Sequence, residues 1–176
     1  MTEYRGFEKR LLPIARRWHG VIPVWAAREE GIDPSQLRHW AAGNDDVDHP
    51  ARGIYVWYND DPRTDYRYTH LAQALAEAGP GAVFYGPTVV KLLHLGGWGS
   101  QTLHIAVPSR RRKRYGIQWH HDTGFPRRKL HGLPIQEPRL AIIDSLPVMN
   151  GDKRDMVLFD AVNEGYLTQR EADELV

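Results

Sequence analysis

The sequence predicts an α+β protein of two domains, an N-terminal winged helix-turn-helix over residues 1–58 and a mixed α/β domain over 67–176. Three observations carry that expectation. The first 58 residues read helix, short strand, helix, tight turn, helix and strand pair, the order of a winged helix. NDDPRTDY (59–66) is polar, acidic and proline-containing, and reads as a linker. Beyond it, helical stripes alternate with short β-branched runs. In QTLHIAVPSRRRKRYGIQWHH (101–121) a period-two pattern stands on both sides of a cationic interruption.

In residues 3–19, Phe7, Leu11, Ile14, Ala15 and Trp18 recur at three-to-four spacing, one stripe of an amphipathic helix interrupted by Pro13. Val21-Ile22-Pro23 allows a short strand, and a second helix over 24–30 closes at Gly31. Asp33-Pro34-Ser35-Gln36 is a helix start, with a capping Asp, Pro at the first helical position and Gln where a capping box wants it. This third helix reaches Ala42 with Leu37, Trp40 and Ala41 inward and Ser35, Gln36, Arg38 and His39 outward. RGIYVWY (52–58) follows a polar loop as a β-branched and aromatic strand.

After the linker, Tyr68, Leu71, Ala72, Leu75 and Ala78 form a helix closed by Gly79-Pro80-Gly81, and Gly86-Pro87 opens another that stops at Gly96-Gly97. Leu103, Ile105 and Val107, then Tyr115, Ile117 and Trp119, predict a β-hairpin with Pro108–Arg114 as its turn. A short strand over 133–136 and helices over 138–146 and 153–164 complete the pattern. A final helix has Thr168 and Glu171 at capping-box spacing.

Composition narrows the function classes. With 41% hydrophobic and 26% charged residues in 176, the chain has the balance of a folded globular protein. Its longest apolar run, Ile54 to Tyr58, is far short of a membrane span, and the charged N-terminus does not resemble an export signal, so a cytoplasmic protein is expected. The absence of cysteine removes disulfides, thiolate nucleophiles and cysteine zinc sites. Net charge is +1, but residues 106–140 hold nine Lys/Arg against two Asp/Glu while residues 141–176 hold three against eight. A neutral total thus hides a basic middle and an acidic tail.

The basic middle contains Arg110, Arg111, Arg112, Lys113 and Arg114, with Arg127, Arg128 and Lys129 further along. Cations at this density repel each other and face solvent or an anion; as phosphate contacts they add affinity without sequence preference. On the third helix, Ser35, Gln36, Arg38 and His39 are residue types that read base edges in the major groove. A solvated helix face and a solvated loop are the plainer readings of both features.

Several segments, taken in order, resemble the AbiEi-type antitoxins of type IV toxin–antitoxin systems. They are GVIPVWAAREEGIDPSQLRHW (20–40), RGIYVW (52–57), ALAEAGPGAVFYGPTVVKLLHLGG (74–97), LHIAVPSRRRKRYGIQWHH (103–121), LHGLPIQEPRLAIIDSL (130–146) and EGYLTQREADEL (164–175). The resemblance implies an N-terminal domain that represses its own operon at inverted repeats in double-stranded DNA. It further implies a C-terminal antitoxin domain that opposes a nucleotidyltransferase-like toxin without a stable complex. One departure stands out: where the family carries a basic wing, this chain reads GNDDVDHPARG (43–53), whose Asp45, Asp46 and Asp48 would be repelled by phosphates.

No phosphate-binding loop, dinucleotide fingerprint, HExxH or kinase signature is present. His120-His121-Asp122 offers ligand-type side chains, but adjacent strand residues point to opposite faces. No carboxylate–carboxylate–lysine nuclease set is visible. A non-enzymatic protein without cofactor, metal or membrane association is expected. The competing class is a protein-interaction module that uses the winged helix and basic hairpin to hold a partner protein.

Overall fold

The computed structural model describes residues 3–176, and the chain is α+β in two compact units, Met1–Pro80 with His131–Leu133, and Gly81–Leu130 with Pro134–Val176. In the first unit α1 (Gly6–Arg17) buries Leu11, Ile14 and Ala15, the residues its spacing marks as inward. Pro13 lies on its solvent side and does not divide it; the carbonyl four residues earlier that a proline leaves unbonded belongs to the exposed Lys9. β1 (Val21–Pro23), α2 (Val24–Glu29) and α3 (Pro34–Ala42) follow as their end signals require. The Asp33 carboxylate accepts from the N–H groups of Ser35 and Gln36 at 2.8 and 3.1 Å. It caps α3 alone, since the expected return bond from Gln36 does not form.

β2 (Val47–Ala51) and β3 (Ile54–Trp57) pair antiparallel, and β1 pairs antiparallel with the other side of β3. The central strand β3 is buried on both faces, as its unbroken apolar run implies. β2 falls where the sequence predicts a polar loop. Its register shifts between Asp48 and Ala51, at His49-Pro50, an irregularity an edge strand tolerates because Pro50 donates no ladder bond. The unit ends with α4 (Thr69–Ala78).

The 59–66 segment, expected as a linker, lies inside this unit. Asn59, Asp61 and Thr64 are buried, and their polar groups are satisfied by one another and by α1. The Asn59 amide oxygen accepts from Thr64 Oγ1 at 3.1 Å and from the Asp61 N–H at 3.0 Å. Arg16 Nε donates to Asp61 at 2.6 Å. Burial pushes the Asp61 carboxyl up, but the Arg63 N–H and the Arg16 and Arg63 guanidinium groups outweigh it and bring it to about 2. A polar, proline-containing composition has two solutions, an open linker or a self-satisfied loop, and this chain takes the second.

The second unit is built on a five-stranded mixed sheet. It contains β4 (Val83–Phe84), α5 (Gly86–Leu92), β5 (Leu103–Val107), β6 (Ile117–His121), β7 (Arg127–Leu130) and β8 (Leu133–Gln136), in the order β6-β5-β4-β8-β7. α6 (Pro138–Ser145), α7 (Gly151–Asn163) and α8 (Gln169–Glu174) complete it, α8 with the expected Thr168–Glu171 capping box.

The expected hairpin over 103–119 is corrected: β5 and β6 are parallel, with Leu103 opposite Ile117 and Val107 opposite His121. Period-two alternation is silent about direction, and it also understates β5, an inner strand whose Ile105, Ala106 and Val107 are all buried. Nine residues, 108–116, join the strands, and at about 3.3 Å per residue they span roughly 30 Å, more than enough to run back along a five-residue strand. The tight turn is Tyr115-Gly116, where Arg114 and Ile117 form an antiparallel bridge.

Gly96 sets how closely α7 can pack. It has φ +62°, its N–H donates to the Asp160 carboxylate at 2.6 Å, and a Cβ on it would stand 2.6 Å from Val157 Cγ2 and 3.0 Å from the Val157 nitrogen. Gly97 shares the positive φ but has nothing within 4 Å of a Cβ. Gly97→Ala is therefore expected to cost about 1 kcal/mol of backbone strain, and Gly96→Ala about 2–4 kcal/mol, because the α7 backbone must also retreat. Urea midpoints of the two variants check this; equal losses would remove the close approach as a determinant.

Candidate functional site

α3 presents a polar face built by its own ends. With Asp33 holding the first turn and Leu37 and Ala41 buried, 3.6-residue periodicity leaves Ser35, Gln36, Arg38 and His39 exposed. All four lie where the sequence expects them. Trp40, expected inward, is half-buried and packs edge-on against Phe7 and Trp57, with its indole N–H donating to Glu8 at 3.4 Å. Beside α3, a shallow cavity of about 180 Å³ is lined by Arg38, Ala41, Val47, His49 and Tyr55, with the His49 ring stacked on Tyr55 at 4.4 Å. Asp45, Asp46 and Asp48 are exposed at the start of β2, so the segment next to the polar face is acidic.

The cationic run is a strap rather than a protruding tip. It runs back beside β6, tied by the Trp119 indole N–H to the Arg112 carbonyl at 2.9 Å and by the Ile117 N–H to the Arg114 carbonyl at 3.3 Å. Arg110, Arg111, Arg112, Lys113 and Arg114 are all exposed, as is Tyr115. The strap is thus fixed to β6 through backbone carbonyls, while its five cationic residues are exposed.

The second basic group, Arg127, Arg128 and Lys129, forms β7 on the opposite edge of the sheet. Four inter-strand spacings of about 4.8 Å separate the edges by roughly 19 Å, so the two groups are not one patch. Arg127 is paired with Asp122 and lies over the Phe125 ring, and Arg128 faces Glu137 at 3.9 Å. Of the twelve residues singled out from sequence, the α3 face and the strap each form a continuous surface, while β7 is partly neutralised.

Sequence reasoning missed a histidine pair in the second unit. His104 Nδ1 and His120 Nε2 are 2.9 Å apart, with ring planes 25° apart and centroids 5.1 Å apart. That centroid distance is close to the sum of the N···N distance and the two ring radii, so the rings meet nearly in line, as in an N–H···N hydrogen bond. Lone pairs so aligned do not converge on one metal ion. Among the described residues, no group of three His, Asp or Glu could hold a metal. Tyr85 stacks on His120 at 4.0 Å, and buried Gln136 bridges the Gly86 N–H at 2.9 Å to the Asp144 carboxylate at 2.7 Å.

Burial lowers His104, and burial with the neighbouring His104 lowers His120 to about 4 against a raising effect of Asp144. Tyr85 is pushed up to about 12 by burial and by Asp144. Because the folded His120 refuses a proton that the unfolded chain accepts, its contribution to stability is complete above the ordinary value of 6.5 and is lost as pH falls towards 4. After screening of a half-buried site the loss is on the order of 2 kcal/mol. His120→Gln is expected to flatten the pH dependence of urea midpoints between 6.5 and 4; an unchanged slope would place the acid sensitivity elsewhere. The period-two pattern set both histidines on the same face of the sheet, and the register, with His104 opposite Gln118 and His120 opposite Ala106, makes them diagonal neighbours.

No helix among the described residues is long and apolar enough to cross a membrane. No protein-family model matches the chain, and no curated protein matches it.

Proposed function

We propose that the chain is a DNA-binding antitoxin and transcriptional autorepressor of AbiEi type, acting at inverted repeats in its own promoter and opposing a nucleotidyltransferase-like toxin. The observation that carries this reading is the exposed face of α3, where a side-chain cap and two buried apolar residues leave Ser35, Gln36, Arg38 and His39 facing outward together. The order α1–β1–α2–α3–β2–β3, with β2 and β3 as an antiparallel pair, supports reading the first unit as a winged helix-turn-helix with α3 as its recognition helix. The α/β unit that follows is then the antitoxin domain. Its strap supplies phosphate contacts through Arg110, Arg111, Arg112, Lys113 and Arg114.

Asp45, Asp46 and Asp48 assign the β2–β3 pair a different role from that of a phosphate-gripping wing. Three carboxylates there would be repelled by the duplex, so affinity must come from α3 and from cations elsewhere. The same three residues favour the second reading, in which the winged helix binds a partner protein.

A reporter driven by the promoter upstream of the chain's own gene tests the proposal. Expression of the chain is expected to repress the reporter, and co-expression with the product of a neighbouring nucleotidyltransferase-like gene is expected to restore growth. A fully active reporter together with no rescue of growth would overturn the proposal.

A further inference from the structure

From the groove between α7 and α8, we infer that the second unit docks a cationic amphipathic helix of a partner protein. α7 buries Val157, Leu158 and Ala161 against its own unit yet leaves Met156 and Phe159 exposed at 49% and 68%. Residues 156 and 159 are one helical turn apart, so they form a continuous apolar ridge. Beside the ridge a cavity of about 220 Å³ lies between the helices, with Leu158 and Ala172 as floor and Phe159 and Val162 as wall. Isolated exposed apolar residues are ordinary, but a ridge bordering a concave apolar floor is the form of a helix-in-groove site.

Charge identifies the occupant. Asp155 and Asp173 line the groove itself, and neither is in an ion pair among the described residues; Asp173 accepts only from the neutral Gln169 at 2.8 Å. Asp152 stands one turn before Asp155 on the same helix. A second copy presenting this same face would set these carboxylates against themselves, and an anionic membrane surface would be repelled by them. A helix with apolar residues at three-to-four spacing and Lys or Arg on its flanks fills the floor and neutralises the rim. The 13 residues of α7 extend about 20 Å, which accommodates three to four turns of such a helix.

The experiment uses the full chain and three fluorescein-labelled 18-residue peptides. The first is an amphipathic helix of Leu and Lys, the second its Glu-for-Lys counterpart, and the third a scramble of the first with no apolar face. Anisotropy is expected to show saturable binding of the first peptide and at least tenfold weaker binding of the other two. Phe159→Ser keeps the charge and changes a side chain outside the buried cluster, and is expected to weaken the first peptide at least tenfold. The reversal Asp155→Lys with Asp173→Lys keeps the apolar floor, and is expected to do the same. Binding of the scramble as tight as that of the helix, or indifference to both variants, would overturn the assignment. So would self-association of the chain that Phe159→Ser abolishes, because a second copy would then cover the face.

Discussion

Replacing Arg110, Arg111, Arg112, Lys113 and Arg114 together with serine is expected to weaken binding to operator and random duplexes alike and to flatten the salt dependence. Removing one phosphate-bound cation lowers the magnitude of the salt slope by about 0.9, so removing all five lowers it by up to about 4.5. Between 50 and 200 mM salt the unaltered chain would then weaken by up to roughly 500-fold more than the variant. The ties from the Trp119 indole and the Ile117 N–H go to the backbone carbonyls of Arg112 and Arg114 and remain in the variant, and circular dichroism checks that it folds. Titration by fluorescence anisotropy at four salt concentrations measures the slope, and an unchanged slope would show that the strap makes no phosphate contacts.

The second large effect belongs to α3. Gln36→Ala and Arg38→Ala are each expected to cost about 1–3 kcal/mol at the operator, and to relax base preference at separate positions. Random-sequence affinity should change little, since base contacts specify and phosphate contacts position. Neither residue is buried or caps the helix, so thermal stability should be retained. Selection from a randomised duplex pool reads the preference directly. An unaltered selected motif for both variants would show that another element reads the bases.

The opposed signatures of these two variants, one uniform and one sequence-dependent, follow from how each surface is built. The α3 face was legible in the sequence because everything that makes it is local. Asp33-Pro34 starts the helix, Leu37 and Ala41 choose the buried side, and the outward residues follow from periodicity. The Thr168–Glu171 box at the start of α8 was legible for the same reason.

What was not legible depends on partners distant in the chain. β2 and β7 are polar edge strands, VDHPA and RRKL, whose composition carries no strand signal without the neighbour they pair with. β4 is two residues long, too short for any periodic pattern. The direction of β6 rests on the 108–116 strap turning back beside it, and alternation within 101–121 is the same for either direction. Residues 59–66 carry the composition of a linker; their burial rests on bonds among Asn59, Asp61, Arg63 and Thr64 together with Arg16, 45 positions before Asp61, and composition specifies none of these. The His104–His120 contact rests on β5 and β6 being neighbours in the sheet, which alternation within either strand alone does not specify.

The proposed function stands or falls on sequence-selective DNA binding by this chain through α3. The most direct measurement is a gel shift of the full chain against a duplex carrying the inverted repeats of its own promoter, beside a scrambled duplex of equal length and composition. Both are run at 50 and 200 mM salt. A shift with both duplexes is expected at low salt, and preferential retention of the promoter duplex at high salt, where phosphate contacts no longer dominate. Equal retention of the two duplexes at both salt concentrations, or no shift with either, would contradict the proposed function.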